Sequence, residues 1–314
     1  MPGTTGPGKD PGVDQSGGFG GGRLLVVAFE GWNDAGEAAS GAARALIERL
    51  DLDEVASIDP ELYFDYQFTR PMVETVDGRR RLNWPGAKLL GPKPASGETP
   101  QAVTGPGAEE LHILVGQEPA RSWKAFAQEL VDAALTAGID GMIMLGAMLA
   151  DAPHTRPLTV FASSDNDEVR QSLGLERSTY EGPVGILTVL SDAAEEAGIP
   201  TVTLWGSVPH YIHQSPSPKA VLALLGKLEQ LTGLTISRGD LEEEAAGWEA
   251  GVDAIAADDE EMGDYIRQLE QARDTADSPQ ASGDAIAQEF EQYLRRRGDG
   301  GTAGEPWRGP QPGS

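Results

Sequence analysis

Apolar runs of six to nine residues recur along this chain, most with a helix-like stretch beside them, and this alternation constrains the fold more than any other feature. "RLLVVAF" (23–29), "EVASID" (54–59), "LHILVGQEP" (111–119), "GMIMLGAML" (141–149), "LTVFAS" (158–163) and "TVTLWGSV" (201–208) read as strands. After the first, Asn33 or Asp34 is placed to cap a helix whose early positions are almost all Gly, Ala or Ser, so another backbone can approach it closely. After the third, a helix from Arg121 to Ala137 sets Trp123, Phe126, Leu130 and Ala134 on one face. Helical patterns follow near 165–173 and 185–197, and Ser217-Pro218 opens another that carries Val221, Leu225, Leu228 and Leu231. Strands alternating with helices predict an α/β fold, a mostly parallel sheet flanked by helices.

Other segments stand outside that alternation. "TRPMVETVDGRRRLNWP" (69–85) predicts a hairpin turning at Asp77-Gly78. Two acidic helices are expected near the end, roughly 240–276 and 284–297, the second with Ile286, Phe290, Tyr293 and Leu294 in one stripe and Arg295 to Arg297 at its negative end. The Gly/Pro-rich stretches at the two ends lack periodicity and read as disordered. The expected organisation is therefore a disordered tail (1–22), an α/β core (23–233), an acidic helical extension (234–297) and a second tail (298–314).

Charge and cysteine usage exclude whole classes of function. The formal net charge is −26, and residues 240–297 hold 17 acidic against 5 basic residues. A field of that sign repels phosphate backbones and anionic lipid heads, so neither nucleic acid nor a membrane surface is expected as partner. No run approaches the ~18 consecutive apolar residues of a membrane span, and the first residues lack a secretory apolar region. The expected location is the cytoplasm. With no cysteine, disulfides, thiol catalysis and thiolate metal sites are out together.

The usual signatures of chemistry are missing. Gly31, Gly36 and Gly41 fall five apart and do not make the dinucleotide fingerprint; they suit tight turns and helix packing. There is no Walker phosphate loop, and Ser207 in "WGSVP" lacks the second glycine of a nucleophile elbow. His210 and His213 are three apart, but zinc would need a third ligand such as Asp151 or His154 from another loop. No cofactor and no metal site is expected.

Five segments stand out together: "AFEGWNDAGEAA" (28–39), "GQEPARSWKAF" (116–126), "GAMLADAPHTRP" (146–157), "YEGPVGILTVLSDAAEEAGIP" (180–200) and "LWGSVPHYIHQSPSPKAVLALL" (204–225). In this order they resemble the proteasome-assembly-chaperone-two family in the form carried by GC-rich bacteria. The resemblance implies a nucleoside-phosphorylase-like α/β fold, homo-oligomers with trimers among them, and proteasome subunits as partners. Eukaryotic members of that family dock through a C-terminal hydrophobic–tyrosine–any tail, whereas this sequence ends "GPQPGS" with Tyr293 its last tyrosine.

In an open α/β sheet, ligands sit beyond the carboxyl ends of the strands. The loops there would gather Asp34, Glu118, Asp151, His154, Arg156, His210 and Tyr211, with Trp123 beside them as a core or interface anchor. Two readings follow. In one, these residues brace proline-framed loops and form a pocket or partner-binding surface, which makes the protein a cytosolic interaction module of assembly-chaperone type. In the other, Arg156 clamps an anion, His154 or His210 is the general acid/base and Asp151 orients it. That would be a hydrolase or phosphorylase-like enzyme acting on a small polar substrate at 151–157 and 209–218.

Overall fold

The computed structural model of the chain describes residue 19, residues 22–93 and residues 102–276. Along it come β1 (Leu24–Glu30), α1 (Ala38–Arg49), β2 (Leu52–Ser57), β3 (Met72–Val76), β4 (Arg79–Asn83), β5 (Ala87–Pro92), β6 (Val103–Thr104) and β7 (His112–Gln117). There follow α2 (Trp123–Ala137), β8 (Gly141–Ala150), β9 (Val160–Ser163), α3 (Asp167–Leu173), α4 (Ile186–Glu196) and β10 (Thr201–Pro209). The last elements are α5 (Pro218–Thr232), β11 (Thr235–Ile236), α6 (Leu241–Asp258) and α7 (Glu260–Ala276).

Seven strands form one sheet in the order β2-β5-β7-β1-β8-β10-β9. The central four, β7, β1, β8 and β10, pair in parallel. The outer strands β5 and β9 run against them, and β2 pairs antiparallel with β5. The sheet is mostly parallel, as expected, and only its outer pairings are antiparallel. β1 is buried on both faces, so its continuous apolar run divides by parity. Leu24, Val26 and Ala28 join a core under α1 and α5, while Leu25, Val27 and Phe29 join a second core under α2 and α4. Each such side chain removed from water stabilises the fold by ~1.5–3 kcal/mol.

The small residues of α1 have a measurable purpose. Ala38, Ala39, Ala42 and Ala43 are fully buried, and a Cβ on Gly41 would lie 2.8 Å from Val221 Cγ2 on α5. Any larger residue at 41 therefore forces Val221, or α5 with it, to shift. Outside α5 lies α6, followed by α7.

Three expectations need correction. The acidic stretch 240–276 is two helices, because the backbone is extended at Asp259, which ends α6. Phe19, inside the segment read as disordered, is buried, and its N–H donates to Leu231 O at 2.8 Å. Its ring lies over Gly141, where a Cβ would come within 2.9 Å of Cζ. Residues 234–236 are also tied to the core, since β11 pairs with β6. The expected second acidic helix (284–297) and its stripe lie outside the described residues. The hairpin β3–β4 turns at Asp77 (φ 51) and Gly78 (φ 74), the conformation that Asp-Gly favours.

Candidate functional site

Ala150 ends β8 and Pro209 ends β10, and the two are partners in the parallel register. The loops that follow, 151–157 and 210–217, therefore leave the sheet side by side. His154 sits between them with no exposed surface. Its backbone N–H donates to Tyr211 Oη at 2.7 Å, its Nδ1 lies 2.9 Å from the same hydroxyl, and its Nε2 lies 3.0 Å from Asp253 Oδ1 on α6. A carboxylate only accepts, so Nε2 carries the proton. Nδ1 then accepts from the tyrosine, and every polar atom of the imidazole is used. The His154 carbonyl accepts from Lys219 Nζ of α5, which also bonds Glu249 Oε2 of α6 at 2.5 Å.

The neighbouring residues are claimed in the same way. Arg156 grips Asp274 of α7 with two parallel bonds of 2.8 and 2.9 Å and lies 3.4 Å from Glu270. The hydrogen bond from Arg156 holds the Asp274 carboxyl below its ordinary value, and Asp274 in turn raises Arg156. Thr155 Oγ1 donates to Glu270. Asp151 Oδ1 accepts from Tyr265 of α7 at 3.3 Å and faces His210 Nδ1 at 3.4 Å. The His210 ring stands edge-on to Tyr265 at 5.5 Å, and His154 to Trp248 at 6.2 Å. Burial first, then the nearby Tyr265 and carboxylates, pushes the Tyr211 phenol up to about 12, so at neutral pH it stays a donor.

Asp34, Glu118 and Trp123 serve elsewhere. Asp34 Oδ1 accepts from the N–H groups of Ala39 and Ser40 (2.8 and 3.1 Å), which makes it, rather than Asn33, the carboxylate that caps α1. Burial raises its pKa and those hydrogen bonds oppose the rise. Glu118 Oε1 accepts from Ile186 N at 2.9 Å and from Asn33 Nδ2 at 3.4 Å, which caps α4. Trp123 Nε1 donates to Pro119 O at 2.6 Å and the ring packs on the second core. Among the described residues none of the three bonds to the His154 network.

The space at the two loops is small. A cavity of about 40 Å³ lies between Asp151, Pro153, Phe161, Ser207 and Arg273, whereas small-molecule sites enclose ~300–1,000 Å³. A larger open groove of about 510 Å³ runs between α1, the start of α5 and residues 237–244. Its arginines are already engaged, Arg44 by Glu37 at 3.0 Å and Arg49 by the carbonyls of Ser237 and Arg238. His213 Nδ1 bonds His210 O at 2.8 Å, and among the described residues no group of three His, Asp or Glu side chains is placed to hold a metal ion. No described helix is long and apolar enough to cross a membrane.

Sequence reasoning missed Trp248, Glu249, Asp253, Tyr265, Glu270 and Asp274, which hold the loops from outside. A signal for them existed. Glu249–Asp253 and Glu270–Asp274 are each four apart, so each pair lines one helical face.

Residues 28–256 match the sequence profile of the PAC2 family. The structure of a PAC2 family protein from Streptomyces avermitilis superposes with a TM-score of 0.68 at 38% identity, covering 77% of this chain and 99% of that one. The proteasome-assembly chaperone homologue Rv2125 of Mycobacterium tuberculosis gives 0.66 at 36% identity, with coverage of 77% and 99%. Rv2714, a protein of unknown function from the same organism, gives 0.70 at 26% identity and covers 93% of this chain and 94% of its own. No curated protein sequence matches this one.

Proposed function

This chain belongs to the PAC2 family, and we propose that it works as a protein–protein interaction module of proteasome-assembly-chaperone type, without a reaction of its own. We place it in the cytoplasm as a homo-oligomer, with a trimer as the working stoichiometry and proteasome subunits as partners. The observation that carries this reading is the fate of the strand-end loops. Asp151, His154, Arg156 and Tyr211 are each bonded to a residue of α6, α7 or the neighbouring loop. A hydrolase or phosphorylase-like reaction needs room for a substrate, and the cavity beside Asp151 and Ser207 measures about 40 Å³. The kinship with an assembly-chaperone homologue supplies the partner class.

The test uses the purified full chain with unassembled proteasome core-particle subunits from the same host. Co-sedimentation with subunits or half-assembled particles is expected, together with no turnover of nucleosides or simple esters. Turnover with a bell-shaped pH profile, abolished in His154→Ala and in His210→Ala, would overturn the reading. Failure to bind any core subunit or assembly intermediate would remove the proteasome from it.

A further inference from the structure

Among the described residues the hairpin β3–β4 stands open to solvent, and Trp84, just past it, meets the Tyr66 ring edge-on at 5.0 Å. Every residue from Met72 to Trp84 is exposed, among them Met72 (65%), Leu82 (59%), Val73 (49%) and Trp84 (47%), and nearby Phe68 is 86% exposed. Val73 and Leu82 are directly opposed in the register and share a face; Met72 and Val76 share the other. An isolated two-stranded ribbon is marginal in water, so one carrying apolar side chains on both faces calls for a cover.

Charge says what the cover is. Arg70, Arg79, Arg80 and Arg81 lie within twelve residues of a chain whose net charge is −26. None of the four makes an ion pair among the described residues, although most other arginines do. Two copies of so acidic a protein repel over most of their surface, and this ribbon is the densest cationic run among the described residues. The complement is present on the same chain. Where α6 meets α7, Asp258, Asp259, Glu260 and Glu261 are exposed without an ion pair among the described residues, beside Ile255, which is 52% exposed.

We infer that the β3–β4 arm of one copy docks on the α6–α7 corner of a second copy, arginines against carboxylates and Val73 or Leu82 against Ile255. Arm against arm is disfavoured, because arginines would face arginines. The contact joins unlike patches, so it can be made twice across a twofold axis or run head-to-tail; where the head-to-tail rotation closes, a trimer is the smallest ring, and that is the arrangement inferred here. This inference rests on the self-association proposed above and names its surface.

Sedimentation of the full chain separates the two ideas. The triple variant Arg79→Glu/Arg80→Glu/Arg81→Glu should raise the dissociation constant of the oligomer ~100-fold or more at physiological salt. Its unfolding midpoint, measured at a protein concentration where both chains are monomeric, should be unchanged. Asp258→Lys/Glu260→Lys/Glu261→Lys should do the same, and the two sets combined in one chain should restore association. A wild-type chain that stays monomeric at micromolar concentration overturns the self-association and the inference with it. A wild-type oligomer that either triple variant leaves intact, or a combined variant that is not restored, overturns the inference alone.

Discussion

The loops at the strand ends and the β3–β4 arm are opposites. The loops hold the residues that a chemist would select, namely a histidine between a carboxylate and a phenol, an arginine and a second histidine. There the polar atoms of His154 and Arg156 are matched by residues 99 to 118 positions further on, or by Tyr211 and Lys219. The arm holds valine, leucine, methionine and arginine, which announce no chemistry, and its arginines make no ion pair among the described residues, although Glu74 stands across from Arg81 in the register. In the function proposed above, suggestive residues that are fully paired within the fold brace it. Plain residues left unpaired are the ones available to a partner.

The sharpest way to break the comparison is to substitute His154 by alanine. The side chain is fully buried, so its loss leaves a cavity and removes partners from Tyr211 and Asp253, at about 2–4 kcal/mol of folding stability by chemical denaturation. An unchanged unfolding midpoint would mean that the network does not brace the loops. Removing Arg156 comes next. It is one-third exposed and Asp274 more than half exposed, so solvent screening holds the loss on Arg156→Ala well below that of His154→Ala. Its mark should be local, as faster amide exchange confined to α7 and the 151–157 loop.

Acid sharpens the same point. The Asp274 pKa is lowered in the folded protein by Arg156, so the unfolded state binds its proton more readily. The stabilisation is thus present above the ordinary carboxylate value of 3.8 and is lost as pH falls through the lower folded value. Below about pH 4, amides of α7 should lose protection relative to their intrinsic exchange rates in the wild type, and Arg156→Ala should flatten that dependence. The smallest effect belongs to the arm. Reversing Arg79, Arg80 and Arg81 should alter the stability of the isolated protomer by less than about 0.5 kcal/mol, as for exposed positions generally.

How much of this was legible in the sequence depends on how far apart the cause and the effect lie. The four central strands, the Ser217 cap with Pro218 and the Asp77-Gly78 turn are local patterns, and the structure has them. β5 escaped because "AKLLGP" is short and flanked by glycine and proline; it is a strand only because β2 and β7 pair with it. Phe19 escaped because one aromatic in a glycine-rich stretch has no period. The largest omission was the role of α6 and α7, read as an acidic appendage. Asp253 is 99 residues from His154, and Asp274 is 118 from Arg156. No window on the sequence contains both halves of either bond.

Amide hydrogen exchange of the wild-type chain over a range of protein concentrations tests the contrast between sealed loops and open arm most directly. Residues 151–157 and 210–213 should be equally protected at every concentration, since their partners lie in the same chain. Residues 72–83 should exchange freely in dilute protein and slow by ~10-fold or more as copies associate. Concentration-dependent protection of the loops together with an arm that stays unprotected would contradict the account.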